Sequence, residues 1–430
     1  MKSTYQPTKN TWSKVLQRPS QSITDLESIV QPIFETIAQE GDRAVTKYGK
    51  QFDKLNLNNF QVSKSEFENA STQVSDALKE AIQFASNNIR IFHEKQNFIS
   101  ERIETSEGVI CWQERFGIEN VGLYIPGGSA PLFSTVLMLG IPAILAGCKN
   151  IFLCSPPNKD GTIHPAILYT AKLIGLKNVY KIGGIQAIAA MSIGTETIAK
   201  ADKIFGPGNQ FVTAAKQYAQ KLGTAIDMPA GPSELLIVAD QSAKPSYIAS
   251  DLLSQAEHGP DSQVILISKS RELIKLVEAE LNSQLIQLPR ADIAGLAIEN
   301  SNLIYLEEEE DIIEMVNEYA PEHLILMVQD ESNYLKKIYN AGSVFIGQYS
   351  PESAGDYASG TNHTLPTSGF AKSYSGLNVD AFCKYISYQK ISAEGLKNLG
   401  PVIEIMAEAE GLMGHKNAVS IRLKDLKNNP

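Results

Sequence analysis

Apolar positions along this chain recur with two periods, and the switch between them marks its organisation. From about residue 25, Leu26, Ile29, Ile33 and Ile37 share one face of a helix. Thr24 or Asp25 stands where a cap belongs, and Pro32 marks a kink or the true first turn. Between 121 and 240 short apolar runs alternate with longer helical patterns. The runs 151–154, 179–182 and 203–205 read as strands. The stretches 164–174, 186–193 and 210–222 read as helices, the first ended by Gly175 and the last by Gly223. This order implies a parallel sheet wrapped by helices. It continues with strands at 235–239, 264–267, 303–305, 323–328 and 344–346 and a helix at 247–257. Residues 347–376, rich in Gly, Ser, Thr, Tyr and Pro, read as a long functional loop. The last fifty residues are helical in pattern, with a break at Gly411.

No charged residue lies between Val121 and Cys148, a length that could cross a bilayer. Three prolines (Pro126, Pro131, Pro142) and five glycines, including the run Pro126-Gly127-Gly128, argue instead for a buried strand, a Gly-rich turn and a helix. The 430 residues suit about two to four domains. Hydrophobic residues at 43% and charged residues at 20% describe an ordinary globular chain rather than a disordered one. The net charge of −10 speaks against a nucleic-acid scaffold, which needs a basic surface. Four cysteines with no Cys-x-x-Cys give no disulfide framework. The N-terminus Met1-Lys2-Ser3-Thr4-Tyr5-Gln6-Pro7 has no apolar signal core, so the cytoplasm is the expected compartment.

Six histidines limit any imidazole chemistry. Gln255 and His258 stand three apart near a predicted helix end, so both could face one metal. The alternative is a surface Gln and a C-terminal His before the Gly259-Pro260 stop. Glu322 and His323 precede a strand, where they could act as two general bases near neutral pH, or sit in a surface turn. Asp356, between Gly355 and Gly360, is a plausible hard ligand and His363 a possible substrate contact; a turn-rich surface loop is the plainer reading. Glu410 and His415, five apart across Gly411, do not share a helical face. Gly127-Gly128, Gly183-Gly184 and Gly206-Pro207-Gly208 each join a strand to a helix and could bring backbone amides to a pyrophosphate, although none completes Gly-x-Gly-x-x-Gly. No P-loop, zincin or Gly-x-Ser-x-Gly motif occurs.

Taken together, seven segments resemble the histidinol dehydrogenase family. They are 122–140 (GLYIPGGSAPLFSTVLMLG), 205–213 (FGPGNQFVT), 226–240 (IDMPAGPSELLIVAD), 254–264 (SQAEHGPDSQV), 320–324 (APEHL), 355–368 (GDYASGTNHTLPTS) and 407–420 (AEAEGLMGHKNAVS). The resemblance runs from about residue 20 to the C-terminus. It implies four-electron oxidation of L-histidinol to L-histidine through L-histidinaldehyde with two NAD, the last step of histidine biosynthesis. It also implies one zinc per subunit and an intertwined homodimer whose active site is shared between subunits. By motif match, Gln255, His258, Asp356 and His415 are the expected zinc ligands, and Glu322 and His323 the acid–base pair. Ser233, Gln255, His258, His323, Asp356, Glu410 and His415 fall where the family contacts substrate, and Tyr124, Gln186 and Asn209 where it contacts NAD.

The implied fold is α/β, with two incomplete Rossmann-like lobes of parallel sheet flanked by helices. Residues 1–24 are then an N-terminal extension, 25–120 with 234–375 a larger lobe, 121–233 a second lobe, and 376–430 a helical segment reaching the partner subunit. Two other enzyme classes compete. A zinc hydrolase with Glu322 activating bound water leaves the Gly-rich turns idle. A thiol aldehyde dehydrogenase using Cys111, Cys148 or Cys154 has no neighbour to favour a thiolate, apart from Lys149 beside Cys148.

Overall fold

The computed structural model describes residues 1–19, 24–57, 59–127, 131–229 and 231–428; Gly128 and the side chains of Thr24 and Asp25 lie outside the described set. The chain forms two compact units, Met1–Lys95 with Ile118–Phe382, and Gln96–Gly117 with Cys383–Pro430.

The first unit holds two parallel sheets. In the five-stranded sheet the order is Asn178–Lys181, Asn150–Ser155, Asn120–Tyr124, Lys203–Phe205, Ala225–Ile226. Chain order thus reverses on either side of Asn120–Tyr124, as in a doubly wound fold. The six-stranded sheet repeats the device around Glu234–Ala239. Gln263–Ser268 and Asn302–Tyr305 lie on one side of it, and His323–Met327 and Ser343–Ile346 on the other. Strands of a parallel sheet are covered on both faces, so they must be apolar throughout. Leu235, Leu236, Ile237, Val238 and Ala239 are accordingly all buried. The uncharged stretch at 121–148 becomes a buried strand and the helix Phe133–Leu145. Among the described residues no helix is long and apolar enough to cross a membrane.

Three parts of the organisation expected for this unit differ. The N-terminal extension is built into the larger lobe. Lys2–Tyr5 adds the edge strand beside Asn302–Tyr305, and Trp12 and Leu16 pack with Leu236, Ile304, Met315 and Tyr319. The helices of residues 25–95 cover the five-stranded sheet, not the six-stranded one expected. Val30, Phe34 and Ile37 pack with Ile188, Ile204 and Ala215 on one face, and Ile82, Ala85 and Ile89 with Leu123, Met138 and Leu153 on the other. Each helix offers an apolar stripe that fits either sheet, and packing alone selects the partner. Finally, the loop at 347–376 contains the helix Glu352–Tyr357.

The second unit is a three-stranded antiparallel sheet in the order Cys383–Ile391, Val109–Gly117, Ile103–Ser106, followed by two helices. The segment 376–430 is therefore not wholly helical. Ser392 caps Ala393–Ala409 by accepting the Gly395 N–H at 3.0 Å. Gly411, at φ 73°, separates it from Met413–Asn428 in a left-handed conformation that glycine adopts without strain. Val402, Ile405, Met406, Leu412 and Met413 of this unit are exposed.

Candidate active site

In a parallel sheet every strand enters from the same edge, and the covering helices return to that edge. The amino edge of the six-stranded sheet therefore receives strand starts and helix ends together. Ser233 and Glu234 stand where Glu234–Ala239 begins, and His323 opens His323–Met327. The helix Pro245–Ala256 brings Gln255, with His258 just beyond its end. The helix Glu309–Tyr319 stops at Ala320, whose φ of 51° is unusual for a residue with a Cβ, and Pro321 then leads into Glu322.

The backbone of one residue, Glu234, holds both members of the expected acid–base pair. The Glu234 N–H donates to Glu322 Oε2 at 2.8 Å, and the Glu234 carbonyl lies 3.2 Å from His323 Nδ1. A carbonyl can only accept, so Nδ1 carries the proton and Nε2 is left as the basic nitrogen. Nε2 is buried, has no hydrogen-bond partner among the described residues, and faces Asp356 Oδ1 at 3.7 Å. Burial disfavours the imidazolium, but the carboxylates of Glu322, Glu352 and Asp356 outweigh it and hold His323 well above the ordinary histidine range. Asp356, though burial opposes its charge, is held below the usual aspartate range by His323.

Glu352 is the residue the sequence reading missed. It lies four before Asp356 on one helix face, fully buried, and its carboxyl is pushed well up by burial and by the neighbouring acids. His258, Glu352 and Asp356 offer ligand atoms that all lie within 4.8 Å of one another. Gln255, also fully buried, sets its carboxamide against the Glu352 carboxylate. The amide nitrogen donates to Glu352, and the amide oxygen accepts the Glu234 N–H at 3.0 Å. Five acids, Glu234, Asp251, Glu322, Glu352 and Asp356, gather here against Arg18 and His323; burial raises Glu234, Asp251 and Glu352, and a cation would favour their charged forms. The donors fit such an ion. His363 braces this region in its neutral form: Nδ1 donates to the Asp356 carbonyl at 2.9 Å, leaving Nε2 to accept from Thr135 Oγ1 at 3.1 Å. Burial holds its pKa below the usual value. Thr135 belongs to the helix Phe133–Leu145, so this contact joins the site to the second lobe.

Tyr124, Gln186 and Asn209 line the carboxyl edge of the five-stranded sheet, where the switch-point rule places nucleotides. The Tyr124 hydroxyl, pushed up to about 12 by burial, accepts the Gly184 N–H at 3.1 Å. Gln186 donates to Asp53 at 3.3 Å. Asn209 caps Gln210–Lys221, accepting from Phe211 and Val212 at 3.1 Å. Gly206, at φ 130°, lies so close to the Tyr124 carbonyl that a Cβ would collide with it. Lys216, paired with the buried Asp227, fixes this turn by donating to the Gly206 carbonyl at 2.8 Å. Cys154 is fully buried and its thiol is pushed far up, which makes it a poor nucleophile. Glu410 and His415 lie in the second unit, both exposed, on either side of Gly411.

Two doubly wound parallel sheets, with buried titratable groups gathered at the edge of one of them, fit an α/β oxidoreductase. The family model of histidinol dehydrogenase matches residues 16–423. A histidinol dehydrogenase from Bacteroides thetaiotaomicron is 52% identical over 427 residues, covering 99% of this chain and 100% of its own. One from Haemophilus influenzae is 51% identical over 414 residues, covering 96% of each. The crystal structure of histidinol dehydrogenase from Elizabethkingia anophelis superposes with a TM-score of 0.97 at 58% identity, over 99% of both chains. The chain belongs to the histidinol dehydrogenase family.

Proposed function

We propose that the protein oxidises L-histidinol to L-histidine through L-histidinaldehyde, in the cytoplasm, as the last step of histidine biosynthesis. The carrying observation is that the buried Glu322–His323 pair and the donors Gln255, His258 and Asp356 meet at one sheet edge, with His258 on its exposed side. Nitrogen and oxygen donors of this kind suit zinc, one per subunit, with His415 of a second copy completing the set. Zinc, when bound, supplies a Lewis-acid anchor for the amine and imidazole of the substrate. NAD, when bound beside Tyr124, Gln186 and Asn209, supplies the hydride acceptor.

The protein's own groups manage the protons. With a bound cation offsetting the carboxylates that raise it, the neutral His323 takes the hydroxyl proton on Nε2 as the carbinol carbon loses its first hydride, leaving the aldehyde. Glu322, held by the Glu234 N–H, takes a proton from the water that adds to that aldehyde. The hydrate then loses the second hydride and becomes the acid, so one water enters and four electrons leave. Ser233, Gln255, His258, His323 and Asp356, with Glu410 and His415 of the second copy, enclose the substrate. The exposed apolar side chains beside Glu410 and His415 favour an intertwined homodimer in which these residues serve the other subunit's site.

The test is to assay the two half-reactions of Glu322→Gln separately, with histidine confirmed as the wild-type product. Aldehyde oxidation should fall by about a hundredfold or more and alcohol oxidation by much less. An equal fall in both half-reactions would show the division of roles to be wrong.

A further inference from the structure

Glu234 is a buried carboxylate that the reaction does not use. A carboxylate is buried at low cost only when it is paired and hydrogen-bonded. Arg18 pairs it in a fork: Nε lies 2.5 Å from Oε1 and Nη2 3.0 Å from Oε2. The Ser368 N–H adds a bond to Oε1 at 2.7 Å. The same guanidinium donates to the Tyr319 carbonyl at 2.7 Å and lies 4.0 Å from the centre of the Tyr319 ring. Tyr319 is the last residue of its helix, before the left-handed Ala320 and Glu322.

Arg18 thus fastens two pieces of chain that meet at the site. One is the residue whose N–H holds Glu322 and whose carbonyl fixes the His323 tautomer. The other is the strained segment that delivers Glu322. We infer that Arg18, acting through Glu234 and Tyr319, is a positioning residue for the acid–base pair, so that the N-terminal segment is part of the catalytic apparatus. The inference rests on the reading of Glu322 and His323 as that pair. Without the guanidinium, the Glu234 carboxylate loses its charged partner and turns toward water, and the backbone N–H and carbonyl of Glu234 lose the anchor that fixes them. Groups displaced by a fraction of an ångström lose rate while substrate binding is left intact.

The experiment compares Arg18→Ala, Arg18→Lys and Glu322→Gln in the full-length, zinc-loaded enzyme, with kcat and KM for histidinol measured separately and ethylguanidinium added at millimolar concentration. Arg18→Ala should lower kcat about tenfold or more, leave KM within about twofold, and recover part of its rate with ethylguanidinium. Arg18→Lys should fall between, because one ammonium cannot span both carboxylate oxygens and the Tyr319 carbonyl. A folded Arg18→Ala with wild-type kcat overturns the inference. So does a loss that follows the melting temperature and ignores ethylguanidinium. If Arg18→Ala does not fold, Arg18→Lys decides: a lowered kcat at unchanged KM supports the inference, and a wild-type kcat overturns it. Glu322→Gln separates the two levels. If it keeps both half-reactions, the acid–base reading fails; if it loses aldehyde oxidation while the Arg18 variants are unaffected, only the present inference fails.

Discussion

Asp251 offers a quantitative test of how the site is charged. It sits one turn before Gln255 on the helix Pro245–Ala256 and is buried. Burial pushes its carboxyl from the ordinary 3.8 up to about 7, and its charge opposes ionisation of Glu352. The folded state therefore holds the proton more tightly than the unfolded state. Below pH 3.8 both states are protonated and the stabilising effect is fully present. As pH rises from there to about 7 the unfolded state ionises first and stability is lost; above that the loss is complete. The difference of 3.2 between 7 and 3.8, at about 1.36 kcal/mol per pKa unit, gives a loss of about 4 kcal/mol at pH 8. Asp251→Asn keeps the shape and abolishes the ionisation. In chelator, so that only the protein's own groups act, the variant should exceed the wild type by about 4 kcal/mol at pH 8 and by only about 2 kcal/mol at pH 5. Urea unfolding at the two pH values reads this directly. A gap that is the same at both, or a variant less stable at pH 8, would refute the reasoning.

Other outcomes follow from the same geometry. His258→Ala should reduce zinc retained after dialysis from about one per subunit to near zero, measured by atomic absorption, because four protein donors become three and an imidazole is lost from the set. Replacing Cys111, Cys148, Cys154 and Cys383 together by Ala should leave aldehyde oxidation within a few-fold of wild type, since the buried Cys154 thiol is far from ionising; loss of aldehyde oxidation with alcohol oxidation retained would favour a thiol mechanism. Mixing the inactive variants His323→Ala and His415→Ala under conditions that exchange subunits should restore about a quarter of wild-type sites if each site draws on two copies. No recovery in confirmed heterodimers would mean that each site is built from one chain.

Much of the fold is legible in the sequence because parallel strands, covered on both faces, cannot disguise themselves: 235–239 and 264–267 are apolar from end to end. The edge strand Lys2–Tyr5 is not legible, being short and half polar, with its register set only by contact with Asn302–Tyr305. Nor is the choice of sheet by the helix Thr24–Glu40, whose stripe suits either one. The site divides in the same way. Gln255 and His258 can be paired by spacing alone. That Gln255 is buried, and not a surface glutamine, follows from a helix end meeting a sheet edge. Glu352, Asp251 and Glu234 look like ordinary surface acids one at a time, and only the fold drives them together. Glu352 had one available signal, its place four before Asp356 after Pro351, which marks a short helix inside the loop.

The central claim is that one site removes two hydrides from one substrate with the help of a bound metal. Counting NADH formed per histidinol consumed, before chelation, in chelator and after zinc is restored, tests it most directly. Two NADH per histidinol are expected, with activity lost in chelator and regained with zinc. One NADH per histidinol, or undiminished turnover in protein shown to be free of metal, would contradict it.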